Sequence, residues 1–267
     1  MSLTRKSAIH QNQAAWNQRA RAGECFARPA TPGDLEDPVR RLDPRGWYEG
    51  IAGKHVLCLG AGGGKHGVLF AKAGARSVTV VDISEEMLAL DSRMATEQLV
   101  DVETVHASID DLSPLAGREF DLVAQPVSSC YVPDIRAVYQ WVAQLTKPGA
   151  LYVSQHKTPT NLQASLQPTA AGYVLEQPYY LENALPPAAP SRFRESGTKE
   201  FVHGWESLVG ELCRNGFVLE DLVEVKRGRS DAAPGSFAHR CHYIAPYVRL
   251  KARRTDHLPS GTRRIVF

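Results

Sequence analysis

A run of four apolar residues, Val56-Leu57-Cys58-Leu59, breaks directly onto Gly60-Ala61-Gly62-Gly63-Gly64-Lys65-His66-Gly67 and is followed by Val68, Leu69, Phe70, Ala71 and Ala73. An apolar run without alternation is a strand buried on both faces, which belongs in a parallel sheet, and the apolar spacing after the glycines is helical. The glycines permit the tight turn between strand and helix. Lacking a Cβ, they take backbone conformations closed to other residues and let a ligand lie against the main chain, beside the unpaired N–H groups of the helix start.

Beyond Gly74, Ser77-Val78-Thr79-Val80-Val81-Asp82 is a second buried strand with an acid at its carboxyl end. An acid about 20 residues after the first glycine is where nucleotide-binding α/β folds receive the two hydroxyls of a ribose, because an ionised carboxylate accepts both. A glycine turn with a strand-end acid therefore points to an adenosine-containing ligand.

The pattern repeats down the chain. Ser84 is an N-cap, with Glu85 and Glu86 in the first helical turn and Met87, Leu88, Leu90 and Met94 as an apolar stripe. Met87, beside Asp82, can pack on an adenine or ribose through its thioether. Glu103–Ala107 is a short third strand. Ser108 and Ile109 after it are placed to meet the adenine edge and face, although a plain turn built by Asp110 and Asp111 explains the same letters. Phe120–Ala124 is the fourth strand, Ile135, Val138, Val142 and Leu145 mark a helix ending at Lys147-Pro148-Gly149, and Ala150–Gln155 is the fifth strand. Strand and helix in alternation give a parallel sheet with helices on both faces and right-handed crossovers.

At the front, residues 10–22 form a helix with few apolar positions that must dock mainly through Trp16; Trp16 packs there or, with Asn17, forms part of a lid. Residues 23–45, rich in Pro, Gly and Asp, are read as a loop. After the fifth strand the prolines and tyrosines of 157–204 break any long element. A segment of that length inside a compact domain is usually functional, and it is read as a substrate cap. Trp205, Leu208, Val209 and Leu212 form a helix stopped at Asn215-Gly216, and Phe217–Val225 and Cys241–Val248 form a last pair of strands. The organisation expected is one domain of five parts: residues 1–45 as helix and loop, 46–156 as cofactor-binding core, 157–204 as cap, 205–248 as last helix and strand pair, and 249–267 as a basic, solvated tail carrying Lys251, Arg253, Arg254, Arg263 and Arg264.

The glycines fit two registers. Gly62, Gly64 and Gly67 satisfy G-x-G-x-x-G, a dinucleotide fingerprint, whereas Gly60, Gly62 and Gly64 satisfy G-x-G-x-G. The first glycine should directly follow the strand's last apolar residue, Leu59, which favours the second register. In that register Val56–Gly64, Val78–Asp82, Phe120–Val123 and Leu145-Thr146-Lys147-Pro148-Gly149 resemble the successive motifs of class I S-adenosylmethionine-dependent methyltransferases over roughly residues 46–156. Gln125–Asp134 is similar to the same stretch in a bacterial small-molecule-type subgroup.

The resemblance implies a doubly wound, Rossmann-like α/β fold with a mostly parallel seven-stranded sheet closed by a C-terminal antiparallel hairpin. It implies S-adenosylmethionine as cofactor and S-adenosylhomocysteine as product. It places Gly60, Ala61, Gly62 and Gly64 at the methionine part, Asp82 at the ribose, Ile83 and Met87 at the adenine, and Gln125 and Pro126 beside the methionine and sulfonium. Many members carry an Asp where Ser108 stands here, and Asp110 could substitute only with a shifted loop.

Methyl transfer to a hydroxyl or a protonated amine benefits from a base, and His156 at the end of the fifth strand and His203 before the last long helix are the histidines expected at the crevice mouth. Tyr131 is the third catalytic candidate; each of the histidines serves equally well as a hydrogen-bonded structural residue. Cys130 is read as a buried, inert thiol.

The expected activity is methyl transfer to an O, N or S atom of a small molecule. The alternatives are an NAD(P)-dependent oxidoreductase using the other glycine register, for which no Tyr-x-x-x-Lys follows the fourth strand, and a non-catalytic S-adenosylmethionine binder. A net charge of +2 gives no strong field for nucleic acid, the five scattered cysteines with no C-x-x-C pair suggest neither zinc nor a redox dithiol, and no window is apolar enough to span a bilayer. A cytoplasmic protein without a metal is expected.

Overall fold

The computed structural model describes residues 3–189 and 191–255. In chain order the first elements are α1 (Leu3–Ala22), α2 (Pro32–Glu36), α3 (Pro38–Leu42), β1 (His55–Leu59), α4 (His66–Lys72), β2 (Ser77–Asp82), α5 (Glu85–Gln98) and β3 (Glu103–His106). They are followed by β4 (Phe120–Gln125), α6 (Ile135–Leu145), β5 (Thr146–Lys157), α7 (Pro159–Gln163), α8 (Glu211–Arg214), β6 (Phe217–Glu224), α9 (Phe237–Tyr243) and β7 (Tyr247–Arg254).

The seven strands form one sheet in the order β3-β2-β1-β4-β5-β7-β6. β1 pairs in parallel with β2 and β4, β4 with β5, and β7 runs antiparallel to both β5 and β6. This is the doubly wound sheet with an antiparallel end that the sequence implies. Val56, Leu57, Cys58 and Leu59 are all fully buried because each face of β1 has its own core. Leu57 and Leu59 pack with Val123, Ile135, Val138 and Val142 on one side; Val56 and Cys58 pack with Phe70, Val80 and Leu122 on the other.

Four parts of the chain differ from the sequence reading. Residues 23–45 contain α2 and α3, because Pro32 and Pro38 occupy the first helical turn, where no N–H is needed, behind the caps Thr31 and Asp37. The helix α1 begins at Leu3 and docks less through Trp16 than through polar contacts: Arg5 on Asp110 (2.5 Å), the Asn12 amide donating to the carbonyls of Tyr131 and Lys199, and Asn17 accepting from the Ser84 hydroxyl.

The expected strand at Cys241 is instead the helix α9, capped by Ser236. It is held by the fully buried Arg240, whose guanidinium donates to Asn161, Ala164 and Ser165 and lies over the Phe193 ring. Finally, the start of the basic tail is strand β7. Lys251 and Arg253 pair with Glu49 and Glu220, and Arg254 donates to the Gly216 carbonyl. Arg263 and Arg264 lie outside the described residues. Among the described residues no helix is long and apolar enough to cross a membrane.

Candidate active site

The turn after β1 and the end of β2 are stitched together directly. Asp82, almost wholly buried, accepts the Gly62 N–H on Oδ2 and the Ser84 N–H on Oδ1, each at 2.9 Å. Burial pushes its carboxyl above the ordinary carboxylate value, against the pull of those N–H groups. Gly60 takes φ +58°, and a Cβ there would come within 2.5 Å of Ser128; a Cβ on Gly62 would come within 2.9 Å of Asp82 Oδ2. A second buried acid, Asp91, accepts the Gly63 N–H at 2.8 Å, and burial raises it to about 7. The glycine loop is thus held from below by two carboxylates while its upper face is bare main chain.

Above it lies a cavity of about 670 Å³, within the range that holds a nucleoside cofactor together with a small acceptor. Ten of the eleven expected cofactor residues border it: Gly60, Ala61, Gly62, Asp82, Ile83 and Met87 from the first half of the sheet, with Ser108, Ile109, Gln125 and Pro126 from the loops after β3 and β4. Gly64 does not. It takes φ +74° with the Leu90 carbonyl and Met94 against it, so it serves the packing of α5 on the loop. Asp110 is also turned away, being buried and bound to Arg5 and to the Ser108 hydroxyl. A bare glycine cradle, an acid at the strand end and an open volume above both fit an adenosine-containing cofactor.

The three catalytic candidates fare differently. Tyr131 borders the cavity, with its hydroxyl donating to Glu195 at 2.6 Å and its ring edge-on to Trp16. Burial and the Glu195 charge hold that phenol well above its ordinary pKa, so it is a proton donor and not a base. His156 and His203 lie away from the cavity. The sequence reading ends the fifth strand at Gln155, but β5 runs on to Lys157, so His156 sits inside the strand, fully buried between the hydroxyls of Ser129 (2.7 Å) and Ser154 (2.8 Å). The Nε2 of His203 meets the carbonyls of Ser129 and Val132. Burial lowers both imidazoles, that of His156 to about 3. Both are structural.

The burial of His156 has a measurable consequence. Its proton affinity is depressed on folding, so its contribution to stability is complete above the unfolded value near 6.5 and is lost as pH falls toward 3, at up to about 1.4 kcal/mol per pH unit. Urea midpoints of the wild type are expected to drop between pH 7 and 5 more than those of His156→Gln. Parallel pH curves for the two proteins would contradict the assignment.

Sequence reasoning missed the far end of the cavity. Residues 157–204 contribute only Glu195 to its described lining; the end away from the glycine loop is bordered by Arg45, Trp47 and Tyr48 from the segment before β1, and by Gln155, Tyr247 and Arg249 of β5 and β7. α1 and residues 25–48 thus supply more of the described lining than the proline-rich segment, which bonds to α1 through the carbonyls of Ser196, Gly197 and Lys199. Cys130 is buried and its thiol is raised by that burial, as an inert cysteine would be.

Fold and site together define a class I S-adenosylmethionine-dependent methyltransferase, with S-adenosylmethionine as its cofactor. Residues 56–149 match the methyltransferase domain family. The chain is 27% identical over 234 residues to the uncharacterized methyltransferase YbaJ of Bacillus subtilis (strain 168), covering 82% of this chain and 91% of that one. It is 37% identical over 117 residues to a ubiquinone biosynthesis O-methyltransferase of Aromatoleum aromaticum, covering 42% of this chain and spanning half of the relative. Among solved structures, a S-adenosylmethionine-dependent methyltransferase from Mesorhizobium loti superposes with a TM-score of 0.62 at 21% identity, over 82% of this chain and all of that one.

Proposed function

We propose that this enzyme methylates an O, N or S atom of a small molecule held in the far half of the cavity. The observation that carries the reading is a single continuous hollow, lined at one end by the glycine loop and Asp82 and at the other by aromatic side chains, Trp47, Tyr48 and Tyr247. The lid of α1 and residues 25–48 narrows it to a pocket suited to a small molecule, not a groove for a polymer.

Bound S-adenosylmethionine supplies a methyl group on a positively charged sulfur. Asp82 would orient the ribose, Met87 and Ile83 would pack the adenine, Ser108 and Ile109 would border it, and the main chain of Gly60–Gly62 would receive the methionine part. Gln125 is a rigid neighbour for the reacting end: its amide donates to Ser128 (3.0 Å) and accepts from Tyr152 (2.6 Å). Positive charge is consumed as the methyl leaves the sulfur, so a dry site that aligns acceptor, carbon and sulfur supplies much of the rate by positioning. With His156 and His203 sequestered, positioning is the mechanism assigned here, and Tyr131 shapes the wall through its bond to Glu195.

Two measurements test this. In thermal-shift experiments S-adenosylhomocysteine should raise the melting temperature and NAD should not. With methyl-labelled cofactor and a cell extract fractionated by size, label should appear in the small-molecule fraction. Label in RNA or protein instead would overturn the acceptor class, and cofactor binding without transfer to any fraction would indicate a sensor.

A further inference from the structure

Three arginines from distant parts of the chain meet at the acceptor end of the cavity: Arg45 before β1, Arg227 after β6, and Arg249 in β7. Among the described residues Arg45 and Arg227 form no ion pair, and Arg249 donates from its Nε to the neutral Gln155 Oε1 at 2.6 Å. The acids bordering the same cavity are committed elsewhere. Asp43 accepts the N–H groups of Trp47 (2.6 Å) and Tyr48 (2.8 Å), Asp82 holds the glycine loop, and Glu195 is bound by Lys157 and Tyr131. The chain as a whole is nearly neutral, so this excess of positive charge is local to the pocket. Burial lowers the Arg249 guanidinium, and the like charges of Arg227 and Arg45 lower it further.

Like charges gathered at one wall of a cavity, with no carboxylate paired to any of them, are the arrangement that an oxyanion completes. We infer that the methyl acceptor is a small anion, a carboxylate or phosphate on a flat apolar body, whose negative group is bound by Arg249, Arg227 and Arg45. The inference rests on the methyltransferase reading above and specifies its substrate class.

Strand register supports the placement. Gln125 of β4 pairs with Ser154 of β5, and Gln155 of β5 pairs with Arg249 of β7. Two strand spacings, about 10 Å, therefore separate the Gln125 edge of the cofactor site from the Arg249 strand, the reach of a one-ring acceptor. Trp47, Tyr48 and Tyr247 flank that interval with flat apolar surface, and the Arg45 guanidinium lies 6.0 Å from the Trp47 ring centre.

The test is calorimetry on the full chain saturated with S-adenosylhomocysteine, titrated in parallel with benzoate, phenyl phosphate and the neutral benzamide. Benzoate or phenyl phosphate should bind and benzamide should not, and whichever anion binds more tightly identifies the headgroup. Arg249→Gln and Arg227→Gln should each weaken the anion by about ten-fold or more, the size of a lost charged hydrogen bond, while leaving S-adenosylhomocysteine affinity within experimental error. Arg227 is exposed, so its replacement keeps the test open even where Arg249→Gln perturbs folding. Equal binding of benzamide, no binding of either anion, or anion affinity unmoved in Arg227→Gln and Arg249→Gln would overturn the inference while leaving the methyltransferase reading intact. Failure of S-adenosylhomocysteine itself to bind would instead remove the cofactor site, and this inference with it.

Discussion

Asp82→Ala is expected to lower the affinity for S-adenosylhomocysteine by roughly 100-fold or more, on the basis of two hydrogen bonds to a charged acceptor at about 1.5–3 kcal/mol each. The carboxylate has two duties. It fixes the glycine turn by accepting from Gly62 and Ser84, and its remaining lone pairs face the cavity, where two vicinal hydroxyls can donate to them. Asp82→Asn separates these duties, because an amide oxygen can still hold one N–H of the turn but the amide nitrogen is itself a donor and cannot accept from a ribose hydroxyl. It should keep most of the stability and lose most of the affinity. Calorimetry for binding and circular dichroism for folding check both variants. Binding by Asp82→Ala within about three-fold of wild type would show that the ribose lies elsewhere. Because burial raises this carboxyl, affinity should also weaken on the acid side as Asp82 takes up its proton.

The cofactor half of the site is legible in the sequence because its signals are local. Leu59 and Gly60 are adjacent, Asp82 closes the next strand, and the strand and helix periods leave little freedom in how they pair. The acceptor half is carried by contacts between residues far apart in the chain. Arg249 meets Gln155 across 94 positions, through an antiparallel register that no local pattern specifies, and it stands in a stretch that reads by composition as a basic tail. Arg45, Trp47 and Tyr48 follow prolines that look like breaks but begin helices. The histidines illustrate the same limit. Position 156 is expected just past the strand's last residue, Gln155, but the pairing of His156 and Lys157 with β7 extends the strand and carries the histidine from the rim into the core, and burial then depresses its proton affinity out of the catalytic range.

Residues 194–200 are fastened to the sheet by a buried ionic cluster whose disruption should have the largest effect on stability. Lys157, at the end of β5, reaches Glu195 at 2.5 Å and Glu200 at 2.6 Å, Arg194 holds the other oxygen of Glu200 at 2.6 Å, and Lys157, Glu195 and Glu200 are all buried. Burial alone would lower the Lys157 ammonium; the two carboxylates outweigh it and hold the group above its ordinary value.

Replacing Lys157 by Met leaves Glu200 with Arg194 alone and Glu195 buried with no cation, a loss of about 3–5 kcal/mol for a broken buried pair. In a domain of this size that corresponds to a fall in melting temperature of roughly 10 °C. Glu195 also receives the Tyr131 hydroxyl and borders the cavity, so the same variant should loosen the acceptor wall and weaken transfer more than cofactor binding. Adding Glu195→Gln to Lys157→Met should cost less than the sum of the single changes, since the second removes the charge the first left unpaired. Strict additivity, or a Lys157→Met protein as stable as wild type, would mean that these groups find their counter-charges in solvent and that the segment is held by its apolar contacts alone.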